Sequence, residues 1–303
     1  MYSPEISRRQ FIATTAAIAG GIAMSPLTAG AAGAARKTAA DQVALGRTGL
    51  KLSRLGVGCG SNSGNVQRAL GHDGFNRLIR YAYDRGLTYL DTAQSYQTHE
   101  WIRQAIQGLP REKFFIQTKM SGNPEKPLEV LDRFRQELGT DYIDSVLTHC
   151  TVTPDWDNER RRVMDALEEA KQKKIIGVHG VSCHSLPALE LSARLDWVDV
   201  NLVRLNPQGA HMDTPALTWN ATSNASHVLP VIEQIRIMRQ NGHGVIGMKM
   251  IGDGDFTEAA DRRTAIRFAM QSGLTDAVVI GFKSTEEIDE AVKTINAALA
   301  VLT

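Results

Sequence analysis

The sequence predicts a single (β/α)₈ barrel, because eight short apolar runs alternate with eight longer segments of helical periodicity. The runs are continuous and rich in β-branched residues, which is typical of strands buried on both faces of a parallel sheet. An open doubly wound sheet is the competing architecture, but residues 57–61 lack the Gly-x-Gly-x-x-Gly spacing expected after its first strand. We therefore place the barrel over residues 43–303.

The predicted strands and helices alternate from Leu55 onward. The strands are expected at residues 55–59, 88–91, 114–119, 143–149, 175–182, 198–203, 244–249 and 277–281. The helices are expected at residues 75–84, 100–107, 128–138, 160–173, 186–194, 228–240, 258–270 and 286–299. One longer connection, residues 206–227, follows the sixth strand on the face where barrel enzymes carry their substrate loops.

Composition places the chain among ordinary soluble globular proteins. Of its 303 residues, 43% are hydrophobic and 22% are charged. The net charge of +1 gives no electrostatic reason to expect nucleic acid or an anionic membrane as a partner. The three cysteines, Cys59, Cys150 and Cys183, have no C-x-x-C spacing, and we interpret them as packing residues. His179 and His184 show no pairing that would require a metal.

The first 35 residues differ from the rest and indicate an export signal. Ser7-Arg8-Arg9-Gln10-Phe11-Ile12 opens a weakly apolar run that is too short to span a bilayer and is followed by Ala/Gly-rich sequence. The paired arginines resemble the twin-arginine (Tat) type, whose passengers cross the membrane folded. The Tat export machinery is therefore a predicted partner, and the mature chain is expected to be periplasmic or secreted. The rest of the sequence has no segment typical of an integral membrane protein.

The second, third and fourth predicted strands each end in a titratable residue. The strand-like runs end in Asp91, Lys119 and His149, and Tyr96 lies in the loop that follows Asp91. A charge that ends a buried run is costly unless it is paired. Because the carboxyl ends of barrel strands meet at one mouth, where the active sites of this fold lie, we expect these four side chains to converge.

Each of the four residues also has an ordinary structural interpretation. Asp91 could cap a helix, Lys119 could reach solvent along its aliphatic stem, His149 could be a buried histidine, and Tyr96 could be a loop aromatic. For any one residue alone, that interpretation is favoured. Together, an acid, a tyrosine, a lysine and a histidine on consecutive strands indicate proton transfer, and therefore an enzyme.

These motifs resemble the aldo/keto reductase family from Leu45-Gly46-Arg47-Thr48-Gly49-Leu50 to the last helix. Asp91-Thr92-Ala93-Gln94-Ser95-Tyr96 is similar to the family's D-T-A-x-x-Y, Lys119 and His149 match the rest of its tetrad, and Gly180-Val181-Ser182 matches the G-V-S that holds the nicotinamide. The resemblance implies an oxidoreductase that uses NADP(H) or NAD(H) to reduce an aldehyde or ketone to an alcohol, or the reverse. Its substrate would be a small carbonyl compound or alcohol.

The resemblance also implies a role for each member of the tetrad. Tyr96 would be the general acid and base, although a phenol with a pKa near 10 is a weak acid at neutral pH. Lys119, held by Asp91, would favour the phenolate and lower the pKa of Tyr96. His149 would orient the substrate and donate a hydrogen bond to its oxygen.

The cofactor positions depart from the family pattern. Cys183 replaces the usual Asn after Ser182, and Leu202 replaces the usual Gln of the sixth strand. Arg204, within Val203-Arg204-Leu205-Asn206, is expected to contact the carboxamide or the substrate. Met248 replaces a stacking tyrosine. Lys249 would either approach the pyrophosphate or remain a solvated lysine.

At the adenosine end, Lys283, Ser284 and Glu287 lie where the family binds the 2′-phosphate. Glu287 replaces a frequent Arg and would repel a phosphate, whereas Lys283 and Ser284 could bind one at a helix N-terminus. The choice between NADP(H) and NAD(H) therefore stays open. In the 206–227 connection, Trp219 and His211 are candidate substrate contacts.

Two other functions compete with the enzyme. A nicotinamide-binding redox sensor or partner subunit on the same fold would turn over little, and the altered carboxamide contacts favour it mildly. The complete tetrad argues against it, since a sensor has no need of Tyr96 or Lys119. A carbohydrate-binding barrel has little support, because aromatic residues make up only 6% of the chain.

Overall fold

The structure, a computed structural model, describes residues 36–301. The predicted signal at residues 1–35 lies outside these residues. Within residues 36–301, no helix is both long and apolar enough to cross a bilayer.

Eight parallel strands close into a barrel, preceded by an antiparallel hairpin. The hairpin consists of β1 (Gln42–Ala44) and β2 (Lys51–Ser53). The barrel strands are β3 (Leu55–Gly58), β4 (Tyr89–Asp91), β5 (Phe115–Ser121), β6 (Ile143–Thr151), β7 (Ile176–Cys183), β8 (Val200–Arg204), β9 (Gly244–Met248) and β10 (Ala277–Gly281). Each barrel strand pairs with the next in the chain, and β10 returns to pair with β3.

The α-helices pack around the barrel between the strands. They are α1 (Asn65–Arg68), α2 (Gly71–Asp84), α3 (His99–Ala105), α4 (Pro127–Leu138), α5 (Trp156–Glu159), α6 (Arg161–Gln172), α7 (Leu186–Ser192), α8 (Val228–Gln240), α9 (Ala259–Ser272) and α10 (Thr285–Leu299). Every predicted strand and helix is present with its ends shifted by at most a few residues, apart from the earlier start of α2. The predicted (β/α)₈ barrel is therefore confirmed.

The hairpin closes the amino end of the barrel. The backbone N–H of Gly46, which lies between β1 and β2, donates to Asp276 just before β10 (3.0 Å), and that of Arg47 donates to the carbonyl of Gly242 just before β9 (2.9 Å). Leu45 and Leu52 are fully buried against the side chains that fill the barrel interior. Sequence reasoning missed this hairpin, because strands of three residues are too short to show a period.

Candidate active site

Side chains alternate between the two faces of a strand, and this alternation places the predicted residues on the inner face at the open mouth of the barrel. Tyr89, Phe115 and Leu147 belong to the apolar cluster inside the barrel. Alternate residues of a strand share a face, so Asp91, Lys119 and His149 also face inward, closer to the carboxyl ends of β4, β5 and β6. The same parity places Ser182 and Arg204, at the ends of β7 and β8, on the inner face.

Asp91 and Lys119 form a buried ion pair at the base of the mouth. Lys119 Nζ lies 2.8 Å from each carboxylate oxygen of Asp91 and 2.7 Å from the carbonyl oxygen of Thr92. Gln117 Nε2 also donates to Asp91 Oδ1, at 2.9 Å. The lysine side chain is 1% exposed and the aspartate 8%. These contacts account for all three ammonium protons, and burying either charge requires such a partner.

Tyr96 lies at the end of a short 3₁₀ helix, Gln94–Tyr96, beyond β4. Its hydroxyl is 3.5 Å from Nε2 of His149. Its ring packs on Gly60, where an added Cβ would lie only 2.1 Å from the ring. A side chain at position 60 would therefore displace Tyr96 from the mouth.

The relation between Tyr96 and Lys119 differs from the expectation. Lys119 Nζ lies 5.0 Å from the centroid of the Tyr96 ring, and its protons point to Asp91 and Thr92 instead. Burial raises the pKa of Tyr96 above its usual value, and the negative charge of Asp91 adds to this effect. Arg204 acts in the opposite direction. The expected low pKa of the phenol is therefore wrong for this geometry, because burial outweighs the attraction of an ammonium whose charge Asp91 partly compensates.

His149 is a neutral imidazole at the centre of the mouth. Burial, together with the charges of Lys119 and Arg160, lowers its pKa to about 3. Its Nδ1 lies 3.4 Å from the hydroxyl of Ser121, and its Nε2 faces Tyr96. Because a neutral imidazole carries one proton, His149 can donate a hydrogen bond to a substrate oxygen without itself bearing charge.

Hydrogen bonds link Ser182, His184 and Arg204 in a second polar group at the mouth. Arg204 Nη2 donates to Nδ1 of His184 at 2.6 Å. A guanidinium only donates, so the proton of the neutral imidazole resides on Nε2, which lies 3.3 Å from the Ser182 hydroxyl. Burial and the charge of Arg204 lower the pKa of His184 well below its usual value, which agrees with this assignment. The hydroxyl proton of Ser182 remains available to an acceptor in the mouth.

Arg204 also holds the 206–227 connection. Its Nη2 donates to the carbonyl of Trp219 at 2.8 Å, while the Trp219 residue is 59% exposed. Asp213, fully buried, lies 3.6 Å from Arg204 Nη1, and neither of its oxygens accepts a hydrogen bond from a described residue. Burial raises the pKa of Asp213 to about 7 despite the nearby guanidinium. His211 pairs instead with Asp255, at 2.9 Å, on the loop after β9.

Three predicted cofactor residues occupy different environments. Met248 ends β9 half-buried beside the barrel interior. Lys249 follows it, and its ammonium lies 2.7 Å from Asp253, which compensates its charge. Cys183 is 1% exposed within the helix-facing core, and its sulfur accepts a hydrogen bond from Thr151 at 3.4 Å. Its thiol therefore faces the helices rather than the mouth.

Two of the three predicted adenosine-end residues, Lys283 and Glu287, line a cavity of about 300 Å³ beside α10. Lys283 Nζ lies 3.6 Å from Glu287 Oε1, and the backbone N–H of Lys283 donates to Glu287 Oε2 at 2.9 Å. The Ser284 hydroxyl caps α10 by accepting from the N–H of Glu287 at 3.4 Å. Apolar walls come from Ile251, Phe256, Ile266, Ile280 and Phe282. Arg262 and Glu290 also line the cavity and pair with each other at 2.9 Å.

Sequence reasoning missed His184, Asp213 and Arg160. His184 lies two residues beyond Ser182, so the period of two that placed Ser182 at the mouth would also have indicated His184. Asp213 and Arg160 lie in connections between elements, where no period indicates which side chains turn inward. Arg160 is half-buried just before α6.

Comparison with known proteins assigns the family. The fold and the polar mouth are those of a barrel enzyme, and the aldo/keto reductase family model matches residues 54–264. The chain belongs to the aldo/keto reductase family and is thus an NAD(P)-dependent oxidoreductase.

Individual relatives are distant. The chain is 30% identical over 202 residues to the methylglyoxal reductase DkgA of Salmonella typhimurium, covering 65% of this chain and 70% of the relative. It is 28% identical over 168 residues to the 9,11-endoperoxide prostaglandin H2 reductase of Trypanosoma cruzi, covering 52% of this chain and about half, 54%, of that relative. Among solved structures, the holo form of the aldo-keto reductase AKR11C1 from Bacillus halodurans has a TM-score of 0.66 at 17% identity. That alignment covers 86% of this chain and 96% of the other, and it shows the fold alone.

Proposed function

We propose that the protein reduces an aldehyde or ketone to the alcohol, or catalyses the reverse, with Tyr96 as general acid and base. The observation that supports this most is that Tyr96, His149 and the Asp91–Lys119 pair lie together at the mouth, with the Tyr96 hydroxyl 3.5 Å from His149 Nε2. A substrate oxygen placed between the phenol and the imidazole would meet two donors.

The chain's own groups control the proton. Because burial raises the pKa of Tyr96, the phenol stays protonated at neutral pH and is a proton donor in the reductive direction. His149, neutral at that pH, holds the carbonyl oxygen as negative charge develops. Lys119 is 5.0 Å from the Tyr96 ring centroid, so its ammonium can stabilise the phenolate that remains after transfer.

The residues at the ends of β7 to β10 fit a nicotinamide dinucleotide. When bound, the cofactor supplies the hydride. Ser182 offers a free hydroxyl proton and Arg204 a buried guanidinium to the carboxamide, and Met248 offers an apolar surface to a ring. Lys249, whose ammonium pairs with Asp253 at 2.7 Å, would approach the pyrophosphate. Lys283 and Glu287 line the cavity for the adenosine end, and Ser284 lies between them in the sequence as the cap of α10.

A turnover assay separates this function from the sensor alternative. We expect the purified full chain to oxidise NADH or NADPH, followed at 340 nm, when an aldehyde such as methylglyoxal is added. The nucleotide that co-purifies with the chain should be identified in the same preparation. Tight nucleotide binding without turnover across a broad aldehyde and ketone panel would favour the redox sensor instead.

Glu287 should keep the difference in affinity between NADPH and NADH small. In the wild type, the opposed charges of Lys283 and Glu287, 70% and 38% exposed, should nearly cancel, so that NADPH and NADH bind with similar affinity. Glu287→Arg should tighten NADPH binding about fivefold, since an exposed charge pair contributes up to ~1 kcal/mol, with little change for NADH. Fluorescence quenching titrations measure both affinities.

Glu287→Gln is the matched control for that titration. It removes the repulsion without adding a cation, so it should give a smaller gain for NADPH than the arginine variant. Equal NADPH affinity in all three proteins would mean that the adenosine ribose does not lie beside α10.

We also propose, from the sequence alone, that the chain is exported folded by the Tat machinery to the periplasm or outside. Arg8→Lys combined with Arg9→Lys should leave uncleaved precursor in the cytoplasm, because the signal depends on the arginine pair. Fractionation and immunoblotting measure the distribution. Arg36→Lys, beyond the predicted signal, is the control and should be exported normally. Normal export of the double variant would show that the signal is misassigned.

A further inference from the structure

Two arginines flank His149 at the mouth. Arg204 lies on the β8 side, where its guanidinium contacts His184, whose ring centroid is 6.1 Å from that of His149. Arg160 lies on the β5 side, because its Nη1 is 3.9 Å from the position that a Cβ on Gly122 would occupy, and Gly122 lies just beyond β5. The order around the mouth is therefore Arg160, His149, His184, Arg204.

The charges of these arginines are incompletely compensated. Among residues 36–301, Arg160 has no hydrogen-bond or ion-pair partner for its guanidinium, although the residue is half-buried. Asp213 lies 3.6 Å from Arg204, beyond hydrogen-bond range, and its raised pKa of about 7 leaves it partly protonated at neutral pH. By contrast, the other two cations of the mouth, Lys119 and Lys249, have close carboxylate partners.

This surplus charge has a direct effect on the reacting groups. Arg160 contributes to the lowered pKa of His149, and Arg204 acts to lower the pKa of Tyr96. Arg160 therefore offers a guanidinium that no described residue pairs, close to the reacting groups and open to an anionic ligand. The anion should therefore bind next to the reacting carbonyl rather than at the outer surface.

The dinucleotide does not explain Arg160. The residues proposed to hold the cofactor follow one arc of the mouth, from Ser182 on β7 to Lys283 after β10. Arg160 follows β6 and faces the end of β5, on the other side of His149. Its position is on the substrate's side of the reacting centre.

We infer that the substrate carries a carboxylate as well as the carbonyl, and that Arg160 binds this carboxylate while Arg204 adds to the positive field. The inference rests on the proposed reductase function. A planar guanidinium matches the two oxygens of a carboxylate and can hold them in a bidentate contact. With the carboxylate on the β5 side, the carbonyl oxygen is directed to Tyr96 and His149, and the carboxylate takes no part in the transfer of hydride and proton.

Matched acids and esters test the inference. Two acid–ester pairs differ in how far the carboxylate lies from the carbonyl. Pyruvate, compared with methyl pyruvate, places it next to the carbonyl. 4-Carboxybenzaldehyde, compared with its methyl ester, places it across a benzene ring. We expect kcat/KM of the wild type to favour the acid at least tenfold in one of the pairs. Arg160→Met should reduce this acid-to-ester ratio about tenfold, through KM, and Arg160→Lys should restore part of it.

Arg161→Met is the control, because Arg161 is exposed and pairs with Asp157 one turn away at 3.6 Å. It should leave the ratio unchanged. Calorimetric titration of 4-(hydroxymethyl)benzoate, the alcohol product, should give a dissociation constant about tenfold weaker in Arg160→Met, and thermal melts verify that each variant is folded.

The possible results separate the inference from the function on which it rests. Reduction of the esters without preference for either acid, or a ratio unaffected by Arg160→Met, would overturn the carboxylate inference alone. Failure of the wild type to reduce any of the four compounds or any member of the broad aldehyde and ketone panel, together with 4-(hydroxymethyl)benzoate binding that Arg160→Met does not weaken, would overturn both.

Discussion

Tyr96→Phe should lower kcat for carbonyl reduction by about 10²- to 10⁴-fold, the range that a positioned general acid contributes. The phenol hydroxyl lies 3.5 Å from His149 Nε2, where its proton can pass to the product, and its raised pKa keeps that proton in place at neutral pH. The substitution removes one oxygen atom and keeps the ring on Gly60, so the packing of the mouth should persist. Steady-state assays at saturating cofactor measure the loss.

Cofactor affinity and a second tyrosine provide the controls for this variant. Nucleotide binding, measured by fluorescence quenching, should remain within about twofold of the wild type, because Tyr96 lies outside the β7–β10 arc. Tyr83→Phe alters a tyrosine that packs on Phe114 and should leave kcat unchanged. If Tyr96→Phe retained most of the wild-type kcat, the proton would have to come from another group, and the proposed mechanism would be wrong.

The barrel and the members of its mouth were predictable because both depend on short-range patterns. Continuous apolar runs indicate strands buried on two faces, and a polar residue that ends such a run has to lie at the strand's end. The ends of the second, third and fourth predicted strands therefore indicated Asp91, Lys119 and His149. The resemblance to the family, rather than this pattern, indicated Ser182, and the period of two would have extended that prediction to His184.

The contacts within the mouth were not predictable, since they depend on tertiary geometry. Whether Lys119 donates to Tyr96 or to the Thr92 carbonyl depends on where the backbone turns after β4, and the sequence does not specify that turn. Cys183 follows Ser182 directly, and the opposite phase places its thiol in the helix-facing core. Arg160 and Asp213 become part of the mouth only because their connections fold back over it.

The Asp91–Lys119 pair gives the second large effect, on stability. Lys119→Met should lower the free energy of unfolding by about 3–5 kcal/mol, because it leaves the Asp91 carboxylate buried without its cation. Urea denaturation of the full chain measures the change. Asp91→Asn combined with Lys119→Met should recover part of the loss, since the remaining buried group is then neutral and can still accept from Gln117 Nε2.

Comparing stability and turnover in these variants separates two roles of Lys119. If the ammonium only neutralises Asp91, the double variant should regain both stability and kcat. If it also stabilises the phenolate of Tyr96, as its 5.0 Å distance from the ring centroid permits, the double variant should regain stability but reduce carbonyls far more slowly than the wild type. We expect the second result. A loss of less than 1 kcal/mol in Lys119→Met would mean that water reaches Asp91 and that the pair is less buried than its 1% and 8% exposures indicate.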